Sequence, residues 1–473
     1  MTVWKKVLAL TMSGILVFGM SACKGKEPEG DEIEIEVAED PEEAGESGEP
    51  GEPEETIEVV SDLEASISWW TYPVFVQDEG QEEGAYEQTL IQEFNKKYPN
   101  IRVELKMLDY TQGPDEVQAL IDGEGLELPN VLLDEPGRIG IYAKEGVLTD
   151  LTSMFTEEMA ADVVSEGILS ACRNEGAYVM YPFSASNYVM AFNRSMIEGS
   201  GAIELMNREG ACTWTTEAFE QVLERLDNSQ FNGGILYCSG IAGDYASRSF
   251  LTNLYDGSLM NEDGTAYTMN SEANQQALTK VKEWMDKGWV LNGSGSTGAD
   301  AVSSFVNGDN SFCLLWSLPQ ALANAQALQE NGVEVVVMPY PSEDGVPELE
   351  YMLKGFCIFK TEDEKQEEAS RYLVDFLCND ESKAAENVVR SGGFPVRTSM
   401  GDVYGGNEEA LLYEALLPYS GTYYNHVEGF EEMRVYWYQM LAEILNGEYS
   451  VKESTDSFVE YANKTLEPKG EEE

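Results

Sequence analysis

From residue 66 onward the apolar positions switch between two spacings. In "IRVELKML" they fall on every second residue, Ile101, Val103, Leu105 and Met107, as on one face of a strand. In "GAYEQTLIQEFNKKYPN" Tyr86, Leu90, Ile91, Phe94 and Tyr98 return every three or four residues, a helical face that Pro99 closes. "SISWWTYPVF" (66–75) reads as a strand, so the neighbouring indoles Trp69 and Trp70 point to opposite faces. Further strands are predicted at "NVLL", at "NYVMAFN" near 187–193, at the end of "FVNGDNSFCLLW" and in "VEVVVMPYP". Between them lie a short helix at 137–145, a helix after "CTWT" with the stripe Phe219, Val222, Leu223 and Leu226, and a strongly helical "EEASRYLVDFLCND". Thr213 is the expected N-cap of the second of these, and the last hundred residues read as mostly helical. Strands alternating with helices, without an internal repeat, predict an α/β architecture.

At 473 residues the chain is too long for one ordinary core, so two or more compact units are expected. A formal charge of −58 repels phosphate backbones and anionic membranes, which disfavours nucleic-acid partners. The single histidine, His426, argues against His-based metal sites and against Ser–His or Cys–His catalysis. No cofactor or metal is expected.

The chain start has a different grammar. Lys5 and Lys6, the apolar "VLALTMSGILVFGM" and the small Ser21-Ala22 make residues 1–22 a signal peptide. Its apolar run of about 14 residues is shorter than the roughly 20 that span a bilayer. "MSAC" resembles a bacterial lipobox, with Met20 where Leu is usual, which would make Cys23 the lipid-bearing residue. Residues 23–64 follow as a disordered acidic tether: eighteen Asp/Glu against two Lys, with interspersed Pro and Gly, cannot build a core. Six further cysteines (Cys172, Cys212, Cys238, Cys313, Cys357, Cys378) form no CxxC, and their spacing leaves both disulfides and free thiols open. "GSGSTG" (293–298) matches a dinucleotide fingerprint by letter, but a helical pattern precedes it, so a flexible loop is expected there.

The order of the body's motifs resembles the family 1 extracellular solute-binding proteins of ABC importers, in the branch that includes maltose-binding protein. The resemblance runs from residue 66 to 468 through "ISWWT", "EFNKKYPNIRVEL", "LPNVLLDEPGRIGIYAKEGVLTDLT", "YPFSASNYVMAFNRSMIEGSG" and "TWTTEAF". It continues through "FVNGDNSFCLLW", "VVVMPYP", "GFCIFKTEDEKQEEASRYLVDFLCNDES", "GGFPVRTS" and "LNGEYSVKESTDSFVEYANKTL". It implies a two-lobe type II periplasmic-binding-protein fold, each lobe a mixed sheet flanked by helices, with ligand in the cleft between them. Residues 65–183 plus 342–393 would form lobe 1, and 187–339 plus 395–468 lobe 2. The crossings would lie near Pro182–Asn187, Pro339–Pro341 and Gly392–Val396. Open α/β sheets bind ligands at the carboxyl ends of their strands, which agrees.

The implied activity is capture of a carbohydrate outside the cell by hinged closure and delivery to the permease subunits, without catalysis. The protein would be a monomer held to the outer face of the membrane by its lipid alone. Aromatic rings stack on sugar faces and planar polar groups meet hydroxyls. By position, the resemblance points to Trp70, Tyr72, Asp134, Glu135, Ser186, Asn187, Trp316, Ser317, Tyr340, Phe394, Tyr423 and Tyr424 as ligand contacts. Ser186 stands where maltodextrin-binding members carry a glutamate, which argues against maltodextrin. Three alternatives remain: a non-sugar solute such as a polyamine, amino acid or glycerophosphoester, a secreted glycosidase using Asp134 or Glu135, and a sensor subunit presenting bound ligand to a membrane receptor.

Overall fold

The computed structural model describes residues 60–466 apart from 79, 111, 124–126, 241–242, 425–426 and 428. The signal peptide, Cys23, most of the tether and His426 therefore lie outside the described residues. Thirteen strands are described: β1 (Ala65–Thr71), β2 (Ile101–Met107), β3 (Val131–Asp134), β4 (Arg173–Asn174), β5 (Ala177–Tyr178), β6 (Tyr181–Asn187) and β7 (Val189–Asn193) come first. Then follow β8 (Ile235–Ser239), β9 (Leu291–Thr297), β10 (Phe312–Trp316), β11 (Val335–Met338), β12 (Tyr351–Ile358) and β13 (Phe394–Pro395).

Six of them make one sheet in the order β13-β6-β12-β3-β1-β2. β1 pairs in parallel with β2 and β3, whereas β12 runs antiparallel to both β3 and β6. The second body carries β7 between β10 and β11, and the parallel pair β8–β9. Two helices stand where the periodicity predicts them. Ala85–Lys97 buries Tyr86, Leu90, Ile91 and Phe94, and Thr216–Asn228 buries Phe219, Val222, Leu223 and Leu226. Trp69 is fully buried against Phe356, which accounts for the first indole of the opening strand.

Several expectations are corrected. Thr215 and not Thr213 caps its helix, its Oγ1 accepting from the Ala218 amide at 3.2 Å. Residues 293–298 are no loop: they are the end of β9 and the first residue of the helix Gly298–Val306, with Thr297 and Asp300 forming a capping box. Glycine is required at 293, because a Cβ there would approach the Leu236 carbonyl oxygen to 2.5 Å. All six body cysteines are buried free thiols.

The crossings also lie elsewhere. β6 stays in the six-stranded sheet up to Asn187, and Phe394–Pro395 pairs with Ala185 and Ser184 inside that sheet. The Ser342 backbone bonds to Trp214 and Thr216 of the second body, so that connection reaches the first body only near Glu350. Three connections run side by side: Tyr188, residues 349–350 and residues 416–421. The Tyr188 amide donates to the Glu350 carbonyl at 3.0 Å, and the Leu349 amide to the Tyr419 carbonyl at 2.8 Å. The Gly421 amide in turn donates to the Leu349 carbonyl at 3.0 Å.

Candidate functional site

The carboxyl ends of β1, β2 and β3 open on one side of the large sheet, and the chain beyond each supplies part of a cavity of about 580 Å³. Gln77 follows β1, Tyr110 follows β2 and Glu135 follows β3. The floor is the face shared by β6 and β12: Ser184 opposite Lys354, and Ser186 opposite Met352. The helix Leu318–Asn331 of the second body closes the far wall with Pro319, Leu322 and Ala323. The cavity thus has an apolar wall from one body and a polar floor from the other.

Lys354 lies on the same face of β12 as Met352, and the partner strand β6 carries a register shift beside it. Between the pairs Lys354–Ser184 and Gly355–Pro182 one residue of β6, Phe183, has no partner, and its ring packs on Phe75 and Phe356. The Lys354 Nζ donates to the Ser391 carbonyl at 3.1 Å and forms no ion pair among the described residues. Burial pulls this ammonium down to about 8, with Glu135 acting against the shift. Gly393 lets the Ser391–Gly393 turn lie against β6, since a Cβ there would sit 3.0 Å from that of Ser184. The Ser186 hydroxyl is buried with no hydrogen-bond partner among the described residues.

An ordered aromatic and ionic group stands behind the rim. Tyr72 stacks on Tyr110 with centroids 5.2 Å apart, and the Arg138 guanidinium lies 5.2 Å from the Tyr72 ring. Arg138 in turn donates Nε to Asp134 Oδ1 at 2.7 Å. Burial raises the Asp134 carboxyl above its ordinary value and the Arg138 charge opposes this. The Tyr72 hydroxyl is buried without a partner among the described residues.

The residues singled out by sequence therefore divide. Glu135 and Ser186 line the cavity, and Tyr72 and Asp134 support its rim. Trp70 lies elsewhere: it packs under the Lys106 ammonium, 3.7 Å from its ring, in a groove with Ser68, Glu104 and Asn130. Trp316 is core, fully buried against Phe305 with its Nε1 donating to the Tyr413 hydroxyl at 3.0 Å. Ser317 is the N-cap residue of the helix Leu318–Asn331 and donates to Gln320. Tyr340 is core, bonded to the Leu314 carbonyl at 2.7 Å, and Phe394 is core against Tyr404 and Tyr413. Asn187 ties two connections together, donating to the Leu416 carbonyl and accepting from Ser420 Oγ at 2.8 Å. Tyr423 packs on Tyr351, and Tyr424 lines a second cavity of about 300 Å³ beside Glu348 and Glu350.

Most of the cavity lining escaped the sequence reading, and two of those residues carried a signal. Tyr110 stands three residues past the end of β2, the same kind of position that drew attention to Tyr72 and Glu135. Lys354 is a lone charge inside the apolar run "YMLKGFCIF", and that interruption was its signal.

The family described as bacterial extracellular solute-binding protein matches residues 89–410. Among curated proteins none matches the chain. Solved structures do. The sugar-binding protein MalE of Xanthomonas citri superposes with a TM-score of 0.69 at 14% identity, covering 85% of this chain and 97% of its own. The cyclic alpha-maltosyl-1,6-maltose binding protein of Arthrobacter globiformis gives 0.68 at 19%, covering 85% and 98%. UgpB of Mycobacterium tuberculosis, solved with glycerophosphocholine, gives 0.63 at 18%, covering 85% and 98%. The fold is the two-lobe fold of these binding proteins.

Proposed function

The chain belongs to the bacterial extracellular solute-binding proteins, a family of binding proteins and not of enzymes, and from that premise we propose that it captures a sugar or oligosaccharide outside the cell and passes it to an ABC permease. The observation that carries this reading is the cavity between the bodies, with Pro319, Leu322 and Met352 available to a sugar's C–H face and Ser184, Ser186 and Glu135 to its hydroxyls. The sugar names of two similar solved structures support it. Three parallel connections beside the cavity suit hinged closure, in which ligand favours the closed form through its higher affinity for it. In this reading Tyr110 is the stacking ring and Tyr72, Asp134 and Arg138 hold it. Cys23 would carry the lipid and residues 23–64 would hold a monomeric body off the outer face of the membrane.

Thermal unfolding with a broad oligosaccharide panel tests this. A true ligand at a hundred times its Kd adds about 2.7 kcal/mol of stability, and a panel with no stabilising sugar would sink the reading.

A further inference from the structure

Lys354 is the feature that a neutral sugar leaves unexplained. An ammonium facing an apolar wall is unfavourable unless an anion meets it. The Lys354 Nζ has a single acceptor, the Ser391 carbonyl, and no carboxylate within ion-pair distance among the described residues. The wall opposite consists of Pro319, Leu322 and Ala323, with Met352 on the floor beside it. Ser186, on the same floor, brings a buried hydroxyl without a partner among the described residues. Glu135 is the cavity's own carboxylate, and it stands at the rim, 3.9 Å from the Arg138 guanidinium.

Resting on the sugar-binding reading above, we propose that the ligand is an acidic sugar, a uronic acid residue whose carboxylate pairs with Lys354 while Ser186 donates to it. One ammonium and one hydroxyl match the two oxygens of a carboxylate. A phosphate monoester brings close to two charges against one lysine. The apolar wall takes the C–H face of the same ring. Strand alternation puts Lys354 on the face of β12 that carries Met352, so the charge is a built feature of the floor.

The test compares di- to tetrasaccharides bearing uronic acids with their methyl esters, and with neutral, sulfated and phosphorylated counterparts, by calorimetric titration of the purified protein. At least one uronate is expected to bind, its methyl ester at least tenfold more weakly. Lys354→Met should lose that tenfold preference, and Lys354→Arg should keep part of it. Binding of neutral sugars in preference to acids, preference for the sulfated or phosphorylated forms, or an unchanged preference in Lys354→Met would overturn the acidic-sugar proposal and leave sugar binding standing. Failure of every sugar would overturn both. Should Lys354→Met not fold, the acid-against-ester comparison in the native protein decides alone.

Discussion

Two cations sit inside this molecule in opposite circumstances. Arg248, fully buried beside the connections, meets Glu350 through two hydrogen bonds of 2.8 and 2.5 Å, touches Asp244, and lies between the rings of Tyr245 and Phe430. Arg434 adds a second cation to Asp244 at 2.7 Å. Lys354, on the cavity floor, has one carbonyl. The first cation is ion-paired to carboxylates and the second is not. A buried charge that is fully paired holds structure, and one that is left with spare donors at a cavity marks where a ligand completes the set.

The contrast breaks first at Arg248. Arg248→Met leaves Glu350 buried without its cation and Asp244 with Arg434 alone, and should destabilise the protein by about 3–5 kcal/mol in calorimetric unfolding; a loss under about 1 kcal/mol would refute the structural role given to this cluster. Lys354→Met should act in the other direction. The folded ammonium titrates near 8 against an ordinary 10.5, so the native state holds its proton less firmly than the unfolded chain. The ligand-free protein therefore carries the full penalty below pH 8 and recovers it as pH rises toward 10.5. Removing the charge should add on the order of 2 kcal/mol at pH 7 and flatten that rise, as urea unfolding at several pH values would show.

A third test moves to the aromatic pair. Tyr110 is more than half exposed at the cavity rim, so Tyr110→Ala should weaken ligand about tenfold with little change in melting temperature. Affinity for an acidic ligand should fall as pH rises above about 8, where Lys354 gives up its charge. The smallest effect is expected at Trp70. Trp70→Ala should leave affinity within twofold, and a larger loss in titration would show that the groove beneath Lys106 communicates with the cavity.

The elements were legible because their apolar spacings are clean: β2, the helix Ala85–Lys97 and the helix Thr216–Asn228 stand where periodicity puts them. The site was legible by halves. Strand ends identify the side of the sheet, which found Glu135 and, with the family pattern, Ser186. That rule does not say which way an end residue turns. Trp316 and Phe394 end or form strands and are aromatic, but their rings go into the core because neighbouring helices supply Phe305 and Tyr413 to cover them. Trp70 turns to the face where β2 offers Lys106. The pairing that sets Ser184 opposite Lys354 joins segments about 170 residues apart, and no local pattern encodes it. The short crossings were misplaced for the same reason, since they are fixed by bonds among three distant segments.

The position of the indoles governs how binding will be seen. Trp69, Trp214, Trp284, Trp316 and Trp437 are buried in the cores, Trp70 faces its groove, and none of the seven described tryptophans lines the cavity. Emission from tryptophan will thus not report the arrival of the solute directly. A ligand that enters without closing the protein will leave the spectrum flat, so heat or tyrosine signals at Tyr110 are the observables that register capture itself.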